Sequence, residues 1–472
     1  MKKLIILFFV ILFSFEACDL AKLNKNTKAP VNVPGNPLFS QAQVNLSNYL
    51  AYGGTYGLLE SMAQHWTSTS YPTITDYKLS TFGLPNNTWG VLYSSVLNNL
   101  KAAQQKVQNN NALSNLRKKN ELACIQVMNI LAYSTLVNTF GNIPYSQALN
   151  PDNTHPVFDD AKTIYLDLLS KLNNAITNFD SSAPGFGTAD ILYQGNITKW
   201  IKFANSLKMR LAITISDVDK SDAQKAIEQA SPQAFTSNAD NAIVHYQSTP
   251  PNTNPVWTNL VESGRHDNVP AKPLVSRMNS LNDPRRAVFF TKHNGAYSGG
   301  PYGISIAYSN YSHFSNKIKA KNRPQRILCY DEVEFIRAEA AARGYNINGS
   351  AALHYDNGIR ADMKYWGISD TTINAYLAQP NVAYSSASGD YRQKIGLQKW
   401  IALFTQGMQA WTEVRRLNSP ALTASTHGII NTYIKRFIYP AYEQNLNEAN
   451  YNKAAKAIGG DEYTTRIFWD AK

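Results

Sequence analysis

The sequence predicts a mostly α-helical fold, with helical pairs forming a scaffold, long irregular loops and a few short strands. Three observations carry this. Trp200, Phe203, Leu207 and Leu211 recur at three- and four-residue steps, which places them on one helix face, while Lys199, Lys202 and Lys208 lie off it. The run 121–140 is apolar on nearly all sides, the pattern of a central buried helix. Two helical patterns at 331–343 and 351–365 are joined by a short polar turn holding Gly344 and a capping Ser350, which makes an antiparallel hairpin. The strict repeat signature of tetratricopeptide proteins is not legible, so any repeats are degenerate.

Taken in order, the chain opens with Lys2 and Lys3, an apolar run from Leu4 to Phe15, and Ala17-Cys18. This is an export signal of the lipoprotein type, with Cys18 as the acylated residue after cleavage. The run is shorter than the roughly 20 apolar residues a membrane span needs. Residues 18–37, rich in Asn, Lys and Pro, read as a tether, and 38–472 as one helical domain. Helices are predicted at 38–65, 89–108, 121–140, from Asp159 or Asp160 to 179, around Trp200, and at 331–343, 351–365, 397–417 and 429–439. Gly141 stops the helix at 140 and Pro144 prevents its resumption. Short strands are predicted at 242–246, 287–291 and 325–328.

Composition excludes several function classes. The 472 residues carry a net charge of +12. The cations are scattered, apart from short clusters such as Arg117-Lys118-Lys119, and no nucleic-acid-binding signature accompanies them, so no nucleic-acid partner is expected. Beyond Cys18 only Cys124 and Cys329 remain, both in apolar surroundings, which predicts buried thiols rather than a disulfide. No cofactor is expected, and no metal: the eight histidines show no HExxH spacing and no CxxC exists. Asp217, Asp219 and Glu228 loosely match a calcium loop, but Asp222 stands where that loop needs glycine, and Ser221 with Gln224 reads as a capping box.

Several segments resemble the SusD/RagB family of outer-membrane lipoproteins from Bacteroidota. They are the Asn/Pro-rich lead-in at 24–37; Asn138-Thr-Phe-Gly-Asn-Ile-Pro-Tyr145 with Ala148-Leu149; Trp200-Ile-Lys-Phe-Ala-Asn-Ser-Leu-Lys-Met-Arg210; Asp283-Pro284-Arg285; and Gln398-Lys399-Trp400 through Ala410-Trp411, Glu413, Arg415 and Arg416. The nearest branch is the one described as starch-binding and associating with the outer membrane. The resemblance implies four tetratricopeptide-like helical pairs, a lipid-anchored and surface-exposed protein on the cell outer membrane, and a SusC-like TonB-dependent transporter as partner. It implies no enzymatic activity. The family's acidic residues after the lipidated cysteine are reduced here to Asp19, followed by Lys22 and Lys25.

Sugar capture needs flat apolar rings beside hydrogen-bonding groups, on loops free to face a ligand. Two windows fit. The first, 65–93, offers Trp66, Tyr71, Tyr77, Phe82, Asn86 and Trp89, with Pro72 and Pro85 breaking any single helical stripe. Trp89 and Tyr93, four apart, equally suit the start of a helix packed inward. The second, 297–314, offers Tyr297, Tyr302, Tyr308 and Tyr311 among glycines and a proline. A third segment, 246–267, with Trp257, Arg265 and His266, reads as a structured crossover. These readings give a surface protein that captures oligosaccharide and delivers it to its transporter. An oligopeptide ligand, as on the RagB side of the family, and a helical (α/α) glycosidase or lyase using Glu262 and Asp267 are the alternatives.

Overall fold

The computed structural model describes residues 34–54 and 57–472. Cys18, the signal and nearly all of the predicted tether lie outside the described residues. Helix α1 (Gly35–Tyr52) starts inside the stretch read as tether and stops at Gly53, whose φ of 72° lets its N–H return to the Tyr49 carbonyl. The single helix predicted over 38–65 is therefore broken. Its second half holds a short helix, Leu58–Met62, after which strand β1 (Trp66–Ser68) begins.

Helical turns from Leu84 lead through a π-helical stretch, Val91–Leu97, into α2 (Asn98–Gln108). The central α3 (Asn115–Phe140) is capped by Ser114 and closed by Gly141. By length and hydropathy α3 could cross a membrane, but 83% of its most apolar window is buried in the domain. Next come α4 (Ala161–Asn178), capped by Asp160 as predicted, and α5 (Ile197–Thr214), capped by Asn196. The stripe Trp200, Phe203, Leu207 and Leu211 is at most 1% exposed. Helix α6 (Lys220–Ala230) takes Asp219 as its cap rather than Ser221. Asp217 is engaged by Arg343, Arg392 and Lys472, which leaves no calcium loop.

Helix α7 (Lys272–Ser280) is followed by the hairpin of α8 (Tyr330–Ala342) and α9 (Ala351–Tyr365), with Ser350 as cap. Then come α10 (Asp370–Leu377), α11 (Tyr391–Ala402), α12 (Gly407–Leu417) and α13 (Glu448–Ala457). The helices pack as neighbours in sequence: α1 with α2, α3 with α4, α5 with α6, α8 with α9, α11 with α12. The helix predicted at 397–417 is split because Glu60, far away in sequence, accepts the Gly407 N–H at 2.7 Å. The helix predicted at 429–439 is absent. That segment is irregular and spends its N–H groups elsewhere, Phe437 on the Thr139 carbonyl and Lys435 on Tyr463.

The strands are β1, β2 (Ile143–Pro144), β3 (Phe158–Asp159), β4 (Ala242–Val244), β5 (Asn268–Pro270) and β6 (Gln325–Leu328). They form three antiparallel pairs, β1 with β5, β2 with β3 and β4 with β6. The strand predicted at 287–291 is instead a short helix, Arg286–Phe289. Cys124 and Cys329 are free and buried, as predicted.

Several charged motif residues sit in the interior. Arg285 is fully buried and pairs with Asp283 and Asp362, and Arg326 bridges Asp362 and Asp331. Arg210 pairs with Glu332. Arg416 binds Glu339 and Glu413, and Lys399 also reaches Glu413. Arg415 lies against the rings of Trp411 and Trp469, 3.7 and 4.8 Å from their centroids. Buried charge is tolerated only when paired and hydrogen-bonded. Arg210, Asp283, Arg285, Lys399, Glu413 and Arg416 of the quoted motifs thus form buried ion pairs that hold helices together.

Candidate functional site

The pairing of β1 with β5 brings the first window against the third segment. Register sets Trp66 opposite Pro270 and Ser68 opposite Asn268. Beyond the strand end the ladder continues: Thr69 N–H donates to the Asp267 carbonyl at 2.8 Å, and the Thr69 hydroxyl donates to the His266 carbonyl. The Thr69 carbonyl accepts from Ile306 N–H at 3.0 Å and from the Ser305 hydroxyl at 3.1 Å, which adds the second window. A fourth segment locks these from behind. The Ser425 hydroxyl lies 2.7 Å from Asp76 Oδ1 and 3.1 Å from the Gly303 carbonyl. Gly303 has φ of 81°, and a Cβ there would fall 2.0 Å from Ser425 Oγ, so this closure requires glycine.

On this frame stands a surface cluster. Tyr71 and Phe82 meet edge to face, with centroids 6.1 Å apart. The Arg265 guanidinium lies 5.6 Å from the Tyr71 centroid and pairs with Asp267. The next residue, His266, stacks on Tyr308 at 4.4 Å, and His313 stacks on Tyr308 at 3.8 Å. Two rings this close and this parallel to one phenol cannot share a face without overlapping, so Tyr308 is the middle rung of a three-ring ladder. His266 and Arg265 are exposed, Phe82 is 37% exposed, and Tyr71, Tyr308 and His313 are half-buried. Burial raises the Tyr308 phenol above its ordinary pKa, so it stays protonated at neutral pH.

The other predicted residues separate by role. Trp66 is 1% exposed, its ring packed on Phe314 at 4.4 Å and edge-on to Tyr52. Tyr77 is fully buried, its pKa pushed up to about 12 by burial, and it lies beneath Tyr302 with centroids 6.4 Å apart. Trp89 is 4% exposed and packs on Tyr93 and Phe140, the inward reading of that pair. These three rings belong to the core and correct the expectation that they face a ligand. Tyr302 donates to the Ser61 carbonyl at 2.9 Å, and Asn86 Oδ1 accepts from Ala441 N–H at 3.0 Å, so both brace loops. Tyr297 forms a separate patch with Arg286 and Lys292, and Tyr311 is half-buried at the end of the Tyr308–Asn310 turn.

His313 is the addition that sequence reasoning missed, and Arg265 and His266, read there as part of a crossover, join the cluster. Their signal was present: Arg265-His266-Asp267 follows Gly264 immediately before a strand, where side chains crowd the sheet end. Among the described residues no group of three His, Cys, Asp or Glu side chains is placed to hold a metal. The acids nearest the cluster do not form a matched pair, since Asp267 is held by Arg265 while Glu262 is exposed at the end of the helical stretch Thr258–Glu262.

A family model described as starch-binding and associating with the outer membrane, SusD-like, matches residues 26–440. Among solved structures, a chitin-binding protein is 25% identical, with a TM-score of 0.80 over 93% of this chain and 100% of its own. A SusD homologue from Bacteroides uniformis is 27% identical, with a TM-score of 0.77 over 92% of this chain and 99% of its own. A chitin-binding SusD homologue from Flavobacterium johnsoniae, 24% identical with a TM-score of 0.76 over 92% of this chain and 98% of its own, shares the fold. No curated protein matches the chain.

Proposed function

Because the chain belongs to the SusD-like family of starch-binding proteins that associate with the outer membrane, we propose that it captures oligosaccharide on the surface built by Tyr71, Phe82, Arg265 and His266. One observation carries the reading. Three loops distant in sequence are pinned together at Thr69, and the exposed groups they bring side by side are rings and a guanidinium. The apolar C–H side of a pyranose packs on such rings, and Arg265 donates to its hydroxyls. The structural relative described as chitin-binding favours β-linked N-acetylglucosamine oligomers as the first ligand to try, with starch oligomers second.

In this reading the protein carries no chemistry of its own. Acylation at Cys18 would tie it to the outer membrane, and a TonB-dependent barrel would receive the captured sugar. The test is a calorimetric screen of residues 19–472 against chito-, malto- and other oligosaccharides, with a peptide panel alongside. Saturable binding of a glycan supports the proposal. Binding confined to peptides, or release of reducing ends on long incubation, contradicts it.

A further inference from the structure

We propose that the end of the molecule where the N-terminal segment enters the fold lies on an anionic lipid surface. The charge distribution points there first. Between residues 98 and 119 the sequence holds Lys101, Lys106, Arg117, Lys118 and Lys119 and no acidic residue, and residues 20–37 hold Lys22, Lys25 and Lys28 and no acid.

The fold then places the second half of the first stretch beside residue 34, where the described chain begins. Helix α1 packs along α2, and a Cβ on Gly35 would sit 3.4 Å from the Cβ of Lys106. Pro34, Gly35, Pro37, Lys106 and Arg117 line one groove. The turn between α2 and α3 thus stands beside the point where the chain arrives from its lysine-bearing segment. At that turn Lys106 and Lys119 are exposed, and so is Leu116, at 43%.

Among the described residues, the acids that face this end offset only part of it. Glu121 is 1% exposed and spent on Arg117. Asp180, half-buried near Lys119, is ionised and offsets part of that charge, which leaves Lys101, Lys106 and Lys118 in excess. Lysines around one exposed leucine match a headgroup layer, where each cation is drawn by negative lipid and the leucine enters the acyl boundary. A single lipid chain gives only marginal attachment, and a basic patch is the second signal that makes it lasting. The proposal does not need Cys18 to be acylated and does not depend on the glycan site.

The test is flotation of residues 19–472 with vesicles of phosphatidylcholine alone or containing phosphatidylglycerol. This length keeps every described residue and omits the apolar run 4–15, which would bind vesicles by itself. The expected result is binding only to the anionic vesicles, lost in high salt. K118E/K119E should weaken it by at least about thirtyfold, and L116S by about fivefold. K453E/K456E, the same charge change on exposed α13, should leave it unchanged. Equal binding to both vesicle types overturns the proposal. So does an equal loss in K453E/K456E, or capture of dextran sulfate through Lys118 and Lys119 with no vesicle binding.

Discussion

The imidazole of His266 lies over the phenol ring of Tyr308, 4.4 Å between centroids and 23° from parallel. The two residues belong to loops that meet at Thr69, and His313 covers the second face of the same phenol. Tyr308 therefore offers no open face to a sugar and acts by holding His266 in place. Y308A should weaken oligosaccharide binding by about tenfold, as expected for losing a stacked support. Its thermal midpoint should stay near that of the parent. Calorimetry beside a melting curve checks both, and an unchanged affinity would remove Tyr308 from the account.

Trp66 and Tyr77 make the contrasting prediction. Each is buried under the loops that carry the cluster. W66A should cost about 3–5 kcal/mol of stability, read by urea unfolding. F82A, at an exposed ring, should cost little stability and lower affinity instead. A W66A protein as stable as the parent would place that ring outside the core.

Arg285 is the buried cation of the Asp283-Pro284-Arg285 step and pairs with Asp283 and Asp362. R285M leaves two carboxylates buried beside a neutral side chain, which should cost about 3–5 kcal/mol. R285K should not restore full stability, because an ammonium cannot reproduce the fork that reaches both acids and Gln398. Equilibrium unfolding of both variants checks this.

Acid should loosen the contact between α8 and α12. Burial alone would raise the Glu339 carboxyl, but Arg416, Arg343 and Lys399 outweigh it and lower the group from an ordinary 4.5 to about 2. A depressed carboxylate contributes stability that is complete above the unfolded value and is lost as pH falls through the folded one. The stability gap between the parent and E339Q should thus be largest at neutral pH, about 3 kcal/mol, and shrink between pH 4.5 and 2. Comparison with E339Q isolates this group from Asp331, which burial shifts upward. A gap independent of pH would contradict the assignment.

What was legible in the sequence was local. The stripe from Trp200 to Leu211, the caps Asp160 and Ser350, and the stop at Gly141 follow from spacing and capping chemistry, and the structure has each of them. What was not legible came from long-range contacts. Glu60 splits the helix at 397–417, and the segment at 429–439 gives its backbone bonds to Thr139 and Tyr463. The loops of the site were readable as aromatic and irregular. Which ring faces outward was not, because Trp66 is buried by the pairing of β1 with β5 and by Phe314. Arg265 and His266 looked like part of a crossover until that pairing set them beside Tyr71 and Tyr308.

The central claim is that rings and a guanidinium on pinned surface loops hold the glycan. Titration of the oligosaccharide selected by the screen into F82A/R265A/H266A tests it most directly. The account predicts loss of affinity by at least about a hundredfold, the sum of ring-packing and hydrogen-bond losses, with the melting temperature little changed. Full affinity in a folded triple variant would contradict it.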